Sequence, residues 1–90
     1  MEIAPTTRPK RILLAEDDAD IRYILIQVLK DAGYEVEALS TGNTIVDSKS
    51  DWPDLFILDK SLPVIDGLAL CKFLRINKAP QHIPIIMMSC

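Results

Sequence analysis

The apolar positions of this chain gather into short runs that stop at acids, turns or glycine. Arg11-Ile12-Leu13-Leu14-Ala15 is apolar after its first residue and ends in acids, which predicts a buried parallel strand. Asp18-Ala19-Asp20 then supplies capping oxygens and negative charge for a helix N-terminus. Ile21, Ile24, Leu25, Val28, Leu29 and Ala32 follow at helical spacing, giving one apolar face that ends near Ala32, with Gly33 as the stop signal.

Glu35-Val36-Glu37-Ala38-Leu39 alternates polar and apolar, as a half-exposed edge strand does. Ser40-Thr41-Gly42-Asn43 reads as a turn, Thr44 to about Lys49 as a short helix, and Ser50 to Asp54 as a loop. Leu55-Phe56-Ile57-Leu58 is wholly apolar and closed by Asp59, the pattern of a central strand. After a loop containing Pro63, Asp66 is placed to cap a helix from Gly67 to about Ile76, with Leu70, Cys71 and Leu74 on its inner face. Asn77 to His82 is polar. Pro84 to Met88 is a last strand, with Pro84 at its first position, where a missing N–H does least harm. Strands alternating with helical segments predict an α/β fold, a parallel sheet with helices on both faces.

Composition narrows the function classes. The 90 residues suffice for one small domain, and 49% apolar with 26% charged residues fits a globular chain. The net charge is −3 and no segment concentrates Lys and Arg, so direct nucleic-acid binding is not expected. No apolar run approaches a membrane span. Residues 1–10 lack the apolar core of a secretory signal and read as a disordered lead-in to a domain over 11–90. Cys71 and Cys90 fit no zinc spacing and are expected to be reduced thiols in a cytoplasmic protein. His82 and Trp52 fall at the opposite strand ends from the acids, so solvation and packing respectively are their expected roles.

The chemistry is concentrated just after the strands. Open parallel sheets bind ligands beyond the carboxyl ends of their strands. Glu16, Asp17 and Asp18 follow the first strand, Asp59 the third, and Ser89 the last. Carboxylates about 4 Å apart repel by roughly 4 kcal/mol at an effective dielectric of 20. A hard divalent cation such as Mg²⁺ relieves that repulsion, and the same set suits phosphoryl transfer to a carboxylate nucleophile. Asp18 and Asp20 read as helix caps. There is no glycine-rich loop after the first strand and no GxxxxGK[ST], which excludes the common dinucleotide and P-loop sites.

At these residues the chain resembles the receiver domains of bacterial response regulators. The resemblance is carried by Ile12-Leu13-Leu14-Ala15-Glu16-Asp17-Asp18-Ala19-Asp20-Ile21-Arg22, by Pro53 to Asp59 with Leu62-Pro63-Val64-Ile65-Asp66-Gly67, and by Ile83 to Ser89. It implies a flavodoxin-like, doubly wound sheet of order 2-1-3-4, with the family's fifth unit missing. It also implies a two-component signalling role rather than an enzyme's. Asp59 falls on the phosphoacceptor and Ser89 on the switch hydroxyl. Asp17 falls on a direct Mg²⁺ ligand, Glu16 on one acting through water, and Ser61 on the residue lending its backbone carbonyl. The implied partner is a sensor histidine kinase or phosphotransfer protein, and the implied cofactor is Mg²⁺.

One departure bears on function. In the family a lysine after the fifth strand pairs with the acceptor, and this chain stops at the fourth. Lys60 is not expected to replace it. The alternative to phosphotransfer is therefore a receiver-like interaction scaffold. A Mg²⁺-dependent phosphatase is a third reading, disfavoured because Ser61 stands where a second acid is wanted. Without a fifth strand, the apolar strand at 84–88 becomes a sheet edge, which leads to an expectation of dimerisation through it.

Overall fold

Strand alternation decides which side of the sheet each residue serves. The computed structural model describes residues 9–42, 52–78 and 82–88. In β1 (Arg11–Ala15), Ile12 and Leu14 turn to one face, Leu13 and Ala15 to the other. In β3 (Leu55–Asp59), Phe56 and Leu58 join the second face and Ile57 the first. With β2 (Glu35–Leu39) and β4 (Ile85–Met88) they form a four-stranded, all-parallel sheet of order β2-β1-β3-β4. This is the expected order, with β2 a half-exposed edge. The expected 44–49 helix, Ser89, Cys90 and most of the lead-in lie outside the described residues.

Helix α1 (Ala19–Asp31) covers the first face, with Leu25, Ile26 and Leu29 against Ile12, Leu14 and Ile57. The Asp18 carboxylate caps it, accepting from the Asp20 and Ile21 N–H groups at 2.9 and 3.0 Å. Its C-terminus closes as a Schellman turn. The Gly33 N–H donates to the Lys30 carbonyl and the Tyr34 N–H to the Leu29 carbonyl, with Gly33 at φ 97°.

Helix α2 (Gly67–Phe73) covers the second face, so helices flank both sides as expected. Asp66 caps it, accepting from the Ala69 N–H at 2.8 Å. Leu70 and Leu74 are fully buried with Phe56 and Leu58, while Cys71 is half-buried. Beyond Phe73 the helix widens into a π-helical turn, Leu74–Lys78, so the expected run to Ile76 continues in a different geometry. Trp52 packs edge-on against Phe56 at 6.4 Å, the packing role its position suggested.

The apolar face of α1 differs from expectation. Ile24 and Val28 are 59% and 58% exposed, and Ile26, absent from the expected stripe, packs on the sheet. The apolar arc of α1 is wider than one sheet contact, so packing selects the side bearing Leu25, Ile26 and Leu29 and leaves the flank in solvent. The two sides should respond differently to truncation. Leu58→Ala is expected to cost about 2–5 kcal/mol in urea unfolding, and Val28→Ala no more than about 0.5. A comparable loss at Val28 would restore the broader buried stripe.

Candidate functional site

The sheet register brings the acids together. Ala15 of β1 lies opposite Leu58 of β3, so one step further Glu16 stands level with Asp59. Asp59 is the last residue of its strand and pairs with Met88 of β4, where the Lys60 N–H donates to the Met88 carbonyl at 2.8 Å. On the other side the Glu16 N–H donates to the Leu39 carbonyl at 2.9 Å. The expected residues Glu16, Asp17 and Asp59 each offer a carboxylate oxygen within 4.8 Å of the others.

Burial divides their roles. Glu16 and Asp59 are only 4% and 6% exposed, while Asp17 sits at the open rim. Burial pushes the Glu16 carboxyl above its ordinary 4.5. The Asp18 N–H, donating to Glu16 Oε2 at 3.1 Å, opposes that rise. The charge of Asp59, a hydrogen bond to it and the charge of Asp17 reinforce it. An all-oxygen donor set, part buried and part open to water, fits a hard divalent cation that keeps several waters.

The cleft around these acids is lined also by Asp18, Ile21, Lys60 and Ser61. Ser61 thus lines the cleft, and its N–H donates to Asp59 Oδ1 at 3.3 Å. Asp18 keeps its capping role. Lys60, not expected to replace the family's lysine, contributes to the cleft wall. Ser89 is outside the described residues.

Three features escaped the sequence reading. Gly67 runs so close beneath Asp59 that a Cβ there would meet the Asp59 carbonyl oxygen and carbon and the Lys60 Cα. Its N–H donates to the Lys60 carbonyl at 3.0 Å. Its place in the sequence suggested only a helix start, whereas the requirement is close backbone approach. Val64 adopts φ 70°, a left-handed conformation costly for a β-branched residue, and is 82% exposed. Arg22 Nη1 donates to the Glu16 carbonyl at 2.9 Å and the Asp17 carbonyl at 3.4 Å. The signal for Arg22 was available in its helical spacing to Leu25, Ile26 and Leu29, the residues that pack.

Known proteins share this arrangement. A family model for the response regulator receiver domain matches residues 12–90. The phosphate regulon transcriptional regulatory protein PhoB of Klebsiella pneumoniae is 36% identical over 81 residues, covering 89% of this chain and 35% of PhoB. A response regulator structure from Chloroflexus aurantiacus superposes with TM-score 0.82 at 36% identity, over 89% of this chain and 66% of that one. The response regulator TrrA of Thermotoga maritima, solved with Mg²⁺ and BeF, gives TM-score 0.79 at 33% identity, over 89% and 69%. The chain thus spans about a third of that curated relative and about two thirds of the solved chains. With its parallel sheet, its carboxyl-edge acids and a match over nearly its whole length, this chain belongs to the response regulator receiver domain family.

Proposed function

We propose that this chain accepts a phosphoryl group on Asp59 from a phosphohistidine of a sensor kinase or phosphotransfer protein, in the cytoplasm, and signals through the resulting change at its sheet edge. The observation that carries the reading is the convergence of the Glu16, Asp17 and Asp59 carboxylates beyond the carboxyl end of the central strands. An Asp59 carboxylate oxygen attacks phosphorus as the phosphorus–nitrogen bond to the donor imidazole breaks, and the imidazole leaves. Asp17, Asp59 and the Ser61 carbonyl would hold Mg²⁺, with Glu16 acting through water, and the bound cation would supply charge neutralisation for the transferred oxygens. Asp17 at the rim admits water and donor. Buried Asp59 keeps one orientation, because its strand is fixed by β1 and β4 on either side. Ser89, next after Met88 in the sequence, is the proposed switch hydroxyl for the new phosphoryl group. Among the described residues no helix is long and apolar enough to cross a membrane.

Intact mass after incubation with Mg²⁺ and acetyl phosphate tests the central step. One phosphoryl group is expected on the parent chain and none on Asp59→Asn. An unmodified parent that still binds its kinase, equally well with Asp59→Ala, would move the chain to the scaffold reading.

The Glu16 carboxyl ties pH to both stability and cation binding. A carboxyl raised in the folded state contributes stability that is fully present below its unfolded value of 4.5 and is lost as pH rises through the folded value. The metal-free protein therefore loses this contribution as pH rises above 4.5. Glu16→Gln is expected to raise the metal-free thermal midpoint at pH 7 by a few degrees, with the advantage shrinking toward pH 4.5. It is expected to weaken Mg²⁺ binding as well. Calorimetry in chelator and then in Mg²⁺ checks both directions.

The outer edge of β4 supports a second kind of partner. Ile85–Met88 carries no charge, and Ile86 is 48% exposed. Uncharged strand edges pair readily, so the 84–88 strands of two copies are proposed to join as a dimer. Light scattering at rising concentration is expected to show a dimer that Ile86→Lys suppresses. A parent that stays monomeric throughout rules this pairing out.

A further inference from the structure

We propose that Arg22 is a positioning residue for the cation site. Its guanidinium ties down the Glu16 and Asp17 carbonyls and so keeps their carboxylates turned toward Asp59. The inference rests on the reading that these three carboxylates bind Mg²⁺.

Arg22 lies on the packed side of α1. Leu25, Ile26 and Leu29, which meet the sheet, follow it at helical spacing. A charge on a packed helix side is costly unless its donors are satisfied. Side chains on a helix lean toward its N-terminus, so from this turn Arg22 leans toward the loop that precedes α1. There Nη1 reaches the Glu16 carbonyl at 2.9 Å and the Asp17 carbonyl at a longer 3.4 Å. These are the peptide groups of the two adjacent acids in the cluster. The guanidinium's several N–H groups in a planar fork suit it to serve neighbouring carbonyls, where an ammonium is a point donor on a flexible stem.

The loop needs such a tie. Glu16 is anchored on one side by its N–H to the Leu39 carbonyl and through its carboxylate by the Asp18 N–H. Asp17 is exposed and is repelled by Glu16 and Asp59, so rotation of the loop would relieve the crowding. Arg22 opposes that rotation at the peptide groups, without touching the cation or the phosphoryl group. Removing residues that orient metal ligands typically costs 10–100-fold in affinity.

The sign of the effect is diagnostic. As a mere positive charge, Arg22 would repel Mg²⁺, and its removal would tighten binding. As a clamp, its removal weakens binding. Mg²⁺ titration by calorimetry of the 90-residue chain, with Arg22→Met and Arg22→Lys, separates the two. Thermal unfolding of each variant in chelator accompanies it. Arg22→Met is expected to bind about tenfold more weakly. Arg22→Lys is expected to fall between it and the parent, with metal-free midpoints little changed. Binding by Arg22→Met as tight as the parent, or tighter, overturns the inference and leaves the cation reading intact. Equal weakening in both variants, matched by lost metal-free stability, makes Arg22 structural and also overturns it. A parent that binds no Mg²⁺ removes the cation reading itself, and the clamp with it.

Discussion

The mutual repulsion of Glu16, Asp17 and Asp59, whose carboxylate oxygens lie within 4.8 Å of one another, is the constraint around which this end of the molecule is organised. A pair of such charges costs roughly 4 kcal/mol at an effective dielectric of 20, against about 1.5–3 for a hydrogen bond to a charged group. No single contact offsets that cost. The Asp18 N–H offsets part of it at Glu16, and the Ser61 N–H part at Asp59. Raised proton affinity at Glu16 offsets more. The backbone does the rest by leaving the acids little room to separate. β1 and β3 set Glu16 level with Asp59, and β4 and α2 hold the backbone on the far side of Asp59. A site built this way is least comfortable when empty and fully ionised, which is the condition for selective binding of a small, highly charged cation.

The strands and the three acids were legible because two simple periodicities govern them. Period-two alternation and wholly apolar runs located β1, β2, β3 and β4 to within a residue, and the rule that ligands gather at carboxyl ends selected Glu16, Asp17 and Asp59. The rotation of α1 was not legible. An apolar arc that includes Ile24, Val28 and Ile26 gives no single direction, and only the sheet beneath decides which part is buried. Gly67 was read as a helix start because its true requirement, contact with the Asp59 carbonyl, joins loop segments that no local pattern pairs. Arg22 was legible only as part of a motif, because a charge at a packed position is visible only once the packed positions are known.

The two faces of the sheet are unequally covered. The face under α2 carries a cluster of fully buried residues that includes Phe56, Leu58, Leu70 and Leu74. Among the described residues the face under α1 buries only Ile12, Leu14 and Ile57, and no residue of α1 itself is buried. The site is thus rooted mainly in the α2 face. Asp59 follows directly on Leu58, and Gly67, which opens α2, packs beneath Asp59. Leu70 is buried one turn further along α2.

This rooting has a consequence for signalling under the proposed reading. A phosphoryl group on Asp59 adds bulk and charge where the neighbouring backbone has almost no slack. Gly67 blocks movement on one side, and the Lys60 N–H to Met88 carbonyl bond ties the other side to β4. Strain introduced there is passed along whichever neighbour yields. The core under Leu58 does not yield readily, because packed interiors deform little. Val64, already in an unfavourable backbone conformation and almost fully exposed, is the softer element. Under that reading the charge change would fall beside a rigid core and near a softer loop, and that asymmetry would give it a definite direction in which to act.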